Sequence, residues 1–265
     1  MKYALHTAAA LLSAFLISGC GQSEQDNHIK VGAIAGTEAQ VVEVAKKVAK
    51  EKYGLEVEIV SFSDYVTPNV ALNDGSIDVN AFQHKPYLDA QIKDRGYKLV
   101  AVGNTFVYPI AGYSKKIKSI DELKAGSQIA VPNDPTNLGR SLLLLQKQGI
   151  IKLKADVGLN GTVLDIVENP KQVKIVELEA AQLPRSLDDV DLAIINTTYA
   201  SQIDLLPTRD GLFVEDKDSP YVNLVVAREN NKDAQKVKQF VQAYQSEEVF
   251  KAAQELFHGG VVKGW

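Results

Sequence analysis

Short apolar runs of strand length alternate along the chain with stretches whose apolar residues recur every three or four positions. His28 to Ala35 reads as an apolar strand. After Gly36 a helix is predicted in which Val41, Val44, Ala45 and Val48 share one face, with Thr37 and Gln40 at capping-box spacing and Gly54 as its stop. Leu55 to Val60 alternates with period two, the mark of a further strand. Thr67-Pro68 opens a short helix that Gly75 ends, because proline suits a first helical turn. Ile77 to Phe82 resumes an extended apolar segment, and Pro86 leads into a helix over Tyr87 to Arg95 that stops at Gly96. Such strand and helix alternation predicts a layered α/β sheet.

Leu99 to Tyr108 and Ile110 to Tyr113 form one long apolar stretch, broken by Gly103 and Pro109, and read as a crossover between two lobes. The alternation then restarts. A capped helix is expected at Ser119 to Glu122, a strand at Gln128 to Val131, and a helix from Asn137 to Gln148 stopped by Gly149. Val173 to Leu178 and Leu192 to Ile195 supply further strands. Tyr221 to Val226 reads as the strand that returns the chain to the first lobe, ahead of amphipathic helices over Ala234 to Tyr244 and Glu247 to Phe257. The expected fold is an α/β clamshell with two crossover strands and a ligand cleft between the lobes. Lobe I would comprise 28–109 and 222–265, and lobe II 110–221. Periodicity by itself also fits a single doubly wound domain.

The first residues change the picture of where the protein works. Lys2, the apolar stretch Ala8 to Ile17, and Ser18-Gly19-Cys20 have the order of a signal peptide, and the apolar run is too short to span a bilayer. Ile17-Ser18-Gly19-Cys20 resembles a bacterial lipobox. Cleavage of the 1–19 leader would free Cys20 for diacylglycerol on sulfur and a third acyl chain on the amine. Each buried methylene contributes about 0.8 kcal/mol, so several chains anchor stably. The polar segment 20–27 then serves as a tether. The expected location is the envelope, facing the periplasm. Cys20 is the one cysteine, so the folded part needs neither disulfide nor thiolate metal site. With net charge −4 and both signs interspersed, nothing points to nucleic acid. Four histidines without metal spacing, and the lack of a phosphate loop or nucleophile elbow, argue against an enzyme, a metal carrier or a cofactor.

Four ordered motifs resemble the methionine-binding lipoproteins of the NlpA family: Val79 to Leu88, Gly103 to Pro109, Pro132 to Arg140 and Ser219 to Asn223. The resemblance runs from His28 to Trp265. It implies a type II periplasmic-binding-protein fold, methionine as ligand, ABC permease and ATPase subunits as partners, and a monomer. Inner-membrane retention follows from the expected permease, since Gly21 carries no retention signal. A paralogous envelope lipoprotein that takes another amino acid or a methionyl dipeptide is the alternative.

A free amino acid brings a carboxylate, an ammonium and a side chain, and a buried site must satisfy both charges. Arg140 is the candidate for the carboxylate, through its planar bidentate fork and its expected place in the first turn of a helix. Asn137, Asn196 and Asn223 match family positions and offer neutral donors and acceptors. Tyr65, Phe82, His84 and Tyr87 match the side-chain pocket, where aromatic faces suit a polarisable thioether. On residue type alone each of these asparagines and aromatics reads more readily as a turn or core residue.

Overall fold

A computed structural model describes residues 27–216 and 218–265. The expected leader, Cys20 and the tether as far as residue 26 lie outside the described residues. In chain order the first elements are β1 (His28–Ile34), α1 (Thr37–Tyr53), β2 (Glu56–Phe62), α2 (Thr67–Asp74), β3 (Val79–Asn80), α3 (Lys85–Arg95) and β4 (Leu99–Val107). Next come β5 (Ala111–Tyr113), β6 (Gln128–Pro132), α4 (Pro135–Lys147), β7 (Lys152–Leu153), β8 (Ile166–Glu168), β9 (Lys174–Leu178), α5 (Leu183–Ser186), β10 (Leu192–Ile195), α6 (Thr197–Ala200), α7 (Pro207–Asp210) and β11 (Phe213–Val214). The last are β12 (Val222–Arg228), α8 (Gln235–Tyr244), α9 (Glu247–Leu256) and β13 (Val262–Lys263).

The strands form two main sheets, ordered β13-β4-β12-β3-β1-β2 and β11-β5-β10-β6-β9, with β7 and β8 paired apart from them. In the first, β1 is parallel to both β2 and β3, and β12 runs antiparallel between β3 and β4. In the second, β6 is parallel to β9 and β10, while β5 is antiparallel to β10 and β11. The chain leaves the first sheet after β4 and returns with β12, so two connections join the halves. Each sheet is a mixed α/β layer, as the alternation of periods predicts.

Packing explains why these segments adopt these states. Val41, Val42, Ala45, Val48 and Ala49 on α1 pack with Ile29, Val31 and Ala33 of β1 and with Val237, Phe240 and Ala243 of α8. Burying a valine, isoleucine or phenylalanine side chain contributes roughly 1.5–3 kcal/mol, so this face outweighs the modest helix propensity of its β-branched residues. Leu72, Ile77, Leu88, Leu99, Leu224 and Val226 cover the sheet's other face. In the second half, Leu138, Leu142 and Leu145 of α4 pack on Ile129 and Val131 of β6 and Ile194 of β10. A further cluster combines Ile34, Phe82 and Tyr87 with Ala111, Tyr113, Ile195 and Tyr199, and so holds residues from both halves.

Three expectations change in detail. Thr37 is the first residue of α1; Gly36 caps it with φ 100°, and no side chain closes a capping box. The box at Ser119 and Glu122 does form, but it caps a single 3-10 turn. The extended segment after Ile77 pairs in the sheet only through Val79 and Asn80, because the chain then turns into the cleft.

Gly139 gives a stability test. A Cβ there would lie 2.1 Å from the Leu159 carbonyl oxygen and 3.0 Å from the Gly161 nitrogen, both backbone atoms. Alanine at an exposed helix position stabilises by about 1 kcal/mol over glycine, but overpacking costs about 1–3 kcal/mol. Gly139→Ala is therefore expected to lower Tm in thermal unfolding by several degrees, at about 2–4 °C per kcal/mol for a chain of this size. A Tm equal to or above that of the parent would show that the 154–162 loop does not press on α4.

Candidate functional site

Chain turns at the edges of both sheets face one another across a narrow pocket. Its walls contain Tyr65, Phe82, His84, Tyr87, Asn137, Arg140, Asn196 and Asn223, together with Gln83, Tyr108, Thr197 and Thr198. The eight candidate residues, scattered over 159 positions of sequence from Tyr65 to Asn223, thus meet at one place.

Phe82, Gln83 and His84 occupy the turn between β3 and α3. Gln83 holds this turn from beneath: its Nε2 donates to Asn69 Oδ1 at 2.6 Å and to Asn80 Oδ1 at 3.0 Å, and its Oε1 accepts from Asn69 Nδ2 at 2.9 Å. Such a satisfied amide network is stable in a buried place where a single unpaired amide is not. His84 caps α3 by accepting from Tyr87 N–H at Nδ1, 3.1 Å away. That bond assigns the ring hydrogen to Nε2, which donates to Asn137 Oδ1 across the cleft at 3.2 Å. Burial, and secondarily the positive charge of Arg140, lower the His84 pKa to about 3. His84 is thus a neutral group with a fixed tautomer.

Asn137 sits in the first turn of α4. Its Nδ2 donates to both oxygens of Asp134, at 3.1 and 2.9 Å, and its Oδ1 accepts from His84 and from Asn196 Nδ2 at 2.9 Å. Both lone pairs of its oxygen are taken, and its nitrogen is held by one carboxylate. Asn137 is therefore a hub that orients its neighbours. Asn196, which caps α6 at the end of β10, is left with a buried Oδ1 that has no partner among the described residues. Asn223 on β12 donates from Nδ2 to the Phe82 carbonyl at 3.0 Å and toward Glu38 at 3.4 Å, which leaves Oδ1 as its remaining acceptor.

Arg140 is 4% exposed. Its Nε donates to Glu215 Oε1 at 2.8 Å, and its Nη2 donates to Glu215 Oε2 and, at 3.0 Å, to the Tyr108 carbonyl. The Tyr221 ring lies 4.3 Å from the guanidinium carbon, a cation–π contact. One edge of the fork is thus held, and Nη1 is left without a partner among the described residues. Contrary to expectation, Arg140 lies in the second turn of α4. In the first turn the Asn137 N–H goes to the Asp134 side chain, so a carboxylate of the protein itself already caps the helix N-terminus. Glu215 comes from the acidic run Glu215-Asp216, which in sequence reads only as a solvated loop. Thr197, Thr198 and Tyr108 were legible as neighbours of Asn196 and Pro109, but no periodicity singles them out.

Aromatic rings close the other side. The Tyr65 ring centroid is 5.8 Å from that of Phe82, 6.3 Å from Tyr87 and 4.9 Å from Tyr199, and Tyr87 donates to the Tyr65 carbonyl at 2.7 Å. Burial raises the pKa of Tyr65, Tyr87 and Tyr199 well above the ordinary phenol value, so they stay neutral. Outside the pocket the halves also touch through Tyr199 to the Ser63 carbonyl, 3.3 Å, and Gln202 to the Ala35 carbonyl, 2.7 Å. Among the described residues no group of three or more His, Cys, Asp and Glu is placed to hold a metal. No helix there is long and apolar enough to cross a membrane.

A family model described as NlpA lipoprotein matches residues 29–265. The chain belongs to the NlpA lipoprotein family. The D-methionine-binding lipoprotein MetQ of Salmonella typhimurium (strain LT2) is 74% identical over 259 residues, covering 97% of this chain and 96% of that protein. The crystal structure of the methionine binding protein MetQ superposes with TM-score 0.90 at 76% identity, covering 91% of this chain and 99% of the other. A nutrient binding protein from Burkholderia cenocepacia bound to methionine gives TM-score 0.87 at 54% identity, covering 89% and 100%. This NlpA protein therefore has the two-lobe clamshell of periplasmic substrate-binding proteins, and the pocket described above lies between its lobes.

The His84 environment makes a pH prediction for this NlpA protein. Its pKa falls from about 6.5 in the unfolded chain to about 3 in the fold, so between these values the unfolded state binds the extra proton. The resulting contribution to stability is complete above pH 6.5 and is lost as pH falls toward 3. His84→Asn, which keeps a capping side chain without a titrating ring, is expected to flatten the dependence of unfolding free energy on pH over this window by up to one proton. Parallel pH profiles of the two proteins in denaturant titrations would contradict a buried neutral His84.

Proposed function

We propose that the protein is the substrate-binding lipoprotein of an ABC importer and captures free methionine between its lobes. Lobe I comprises 28–109 and 222–265, and lobe II 110–221. The observation that carries the reading is the hydrogen-bonding capacity left over among the residues that line the pocket: one edge of the Arg140 guanidinium, and the oxygens of Asn196 and Asn223. Spare donors and spare acceptors in one pocket suit the carboxylate and ammonium of one α-amino acid. The aromatic wall of Tyr65, Phe82 and Tyr87 suits an apolar, polarisable side chain. The names of the relatives point to the same ligand.

In this reading ligand enters the open clamshell, the lobes close on it, and the loaded protein docks on a permease whose ATPase supplies the energy. Lipid on Cys20 holds the monomeric protein at the inner membrane, facing the periplasm. Its own chemistry is binding and release.

Two measurements test the reading. Native mass spectrometry of freshly purified protein is expected to show a co-purifying mass equal to methionine; an empty or dipeptide-loaded protein would redirect the assignment. Calorimetry is expected to rank methionine above leucine and far above glutamate or lysine, with both methionine enantiomers compared. Arg140→Ala removes the partner of a buried carboxylate, a loss of roughly 2–5 kcal/mol. The affinity for methionine should therefore drop well over tenfold, and a smaller drop would remove Arg140 from the carboxylate site.

A further inference from the structure

Glu38, the second residue of α1, is a buried carboxyl that the pocket described above does not use. It is 1% exposed, and among the described residues it makes no ion pair. Among the described residues its one hydrogen-bond contact is Oε1 with Asn223 Nδ2 at 3.4 Å, and Oε2 is buried without a partner. Carboxyl groups are almost never buried in this way without a compensating charge, because desolvation is too costly. The titratable groups around it are the phenols Tyr65, Tyr108, Tyr199 and Tyr244, from the β2–α2 loop, the end of β4, α6 and α8. None is a cation.

The place of Asn223 gives this orphan a purpose. Its amide points its N–H end at Glu38 and at the Phe82 carbonyl, so its oxygen end is what a ligand meets. The positive charge already in the pocket, Arg140, is matched by Glu215. No acid lines the pocket itself; of those beside it, Asp134 holds Asn137 with both oxygens and Asp64 is engaged by the Val66 and Thr67 N–H groups and the Thr67 hydroxyl. A ligand ammonium would thus meet only neutral amide oxygens in direct contact, with one uncompensated carboxyl directly behind one of them.

We infer that Glu38 is a positioning and specificity residue for the ligand's ammonium group, acting through the Asn223 amide. The chain runs from carboxylate to amide N–H, and from amide oxygen to ammonium. Dipoles aligned in this way strengthen one another in a low-dielectric interior. The inference rests on the amino-acid reading above and adds what distinguishes an α-amino acid from the acid without its amine. Burial raises the Glu38 pKa well above the ordinary carboxylate value, opposed by the Asn223 bond. Arrival of a cation favours the ionised form, so binding should release a proton from a fraction of the molecules.

The test is a cycle between protein and ligand. Dissociation constants are measured by calorimetry for methionine and for its des-amino analogue, with hydrogen in place of the ammonium, in the parent and in Glu38→Gln. The parent is expected to prefer methionine strongly, and Glu38→Gln to shrink that preference at least tenfold. An unchanged ratio, even with both affinities lowered, would make Glu38 merely structural and overturn the inference while leaving methionine binding intact. Failure of the parent to bind methionine at all would instead overturn the amino-acid reading and this inference with it. The unaltered protein provides a check independent of the variant's folding. Between pH 5 and 8, calorimetry in buffers of different ionisation enthalpy should show proton release with methionine and none with the analogue; equal proton exchange for both ligands overturns the relay.

Discussion

A primary amide buried between two lobes needs partners for both its ends, and Asn137 has its oxygen lone pairs taken twice and its nitrogen held by Asp134. Asp134 can only accept, so it draws the Asn137 nitrogen toward the start of α4. The oxygen must then face the cleft, where it takes hydrogens from His84 in one lobe and Asn196 in the other. That choice matches the histidine tautomer set by the Tyr87 N–H and leaves the Asn196 oxygen without a partner among the described residues. A single carboxylate at a helix cap therefore sets the polarity of groups on two other elements. In the proposed function a ligand meets amides that are already oriented, which reduces the entropy lost on binding.

The same economy governs charge. A guanidinium that is almost fully buried is unstable without a partner, and Glu215 supplies one from within the same half of the molecule. The pair spends only part of the arginine fork. What remains is directional and does not require the site to carry a free charge before ligand arrives. His84 contributes no charge either, because burial and Arg140 keep its ring neutral at any pH near neutrality.

Closure has an apolar component as well as a polar one. The cluster that combines Ile34, Phe82 and Tyr87 with Tyr113, Ile195 and Tyr199 extends from the pocket wall into both halves. The bonds from Tyr199 to Ser63 and from Gln202 to Ala35 join the halves independently of any ligand group. A ligand shifts the balance between open and closed forms only by what it adds to these contacts. In the function proposed above, the free edge of Arg140 and the two asparagine oxygens make that addition.

Much of this was legible along the chain. Apolar periods of two and of three to four, with glycine stops at Gly54, Gly75 and Gly96, determine the strands and helices, since each period allows only one face to be buried. The motifs around Phe82, Asn137 and Asn223 marked the family and drew attention to the pocket residues. The short elements β7, β8, β11, β13 and α5 to α7 were not legible, because two to four residues carry no period. Nor were the roles of the polar groups. Glu215 and Glu38 look like any surface acids until the fold buries one beside Arg140 and the other behind Asn223. Residue type determines what a side chain can donate or accept. Only the tertiary structure decides which of those capacities neighbours have already consumed, and so which remain to meet a ligand.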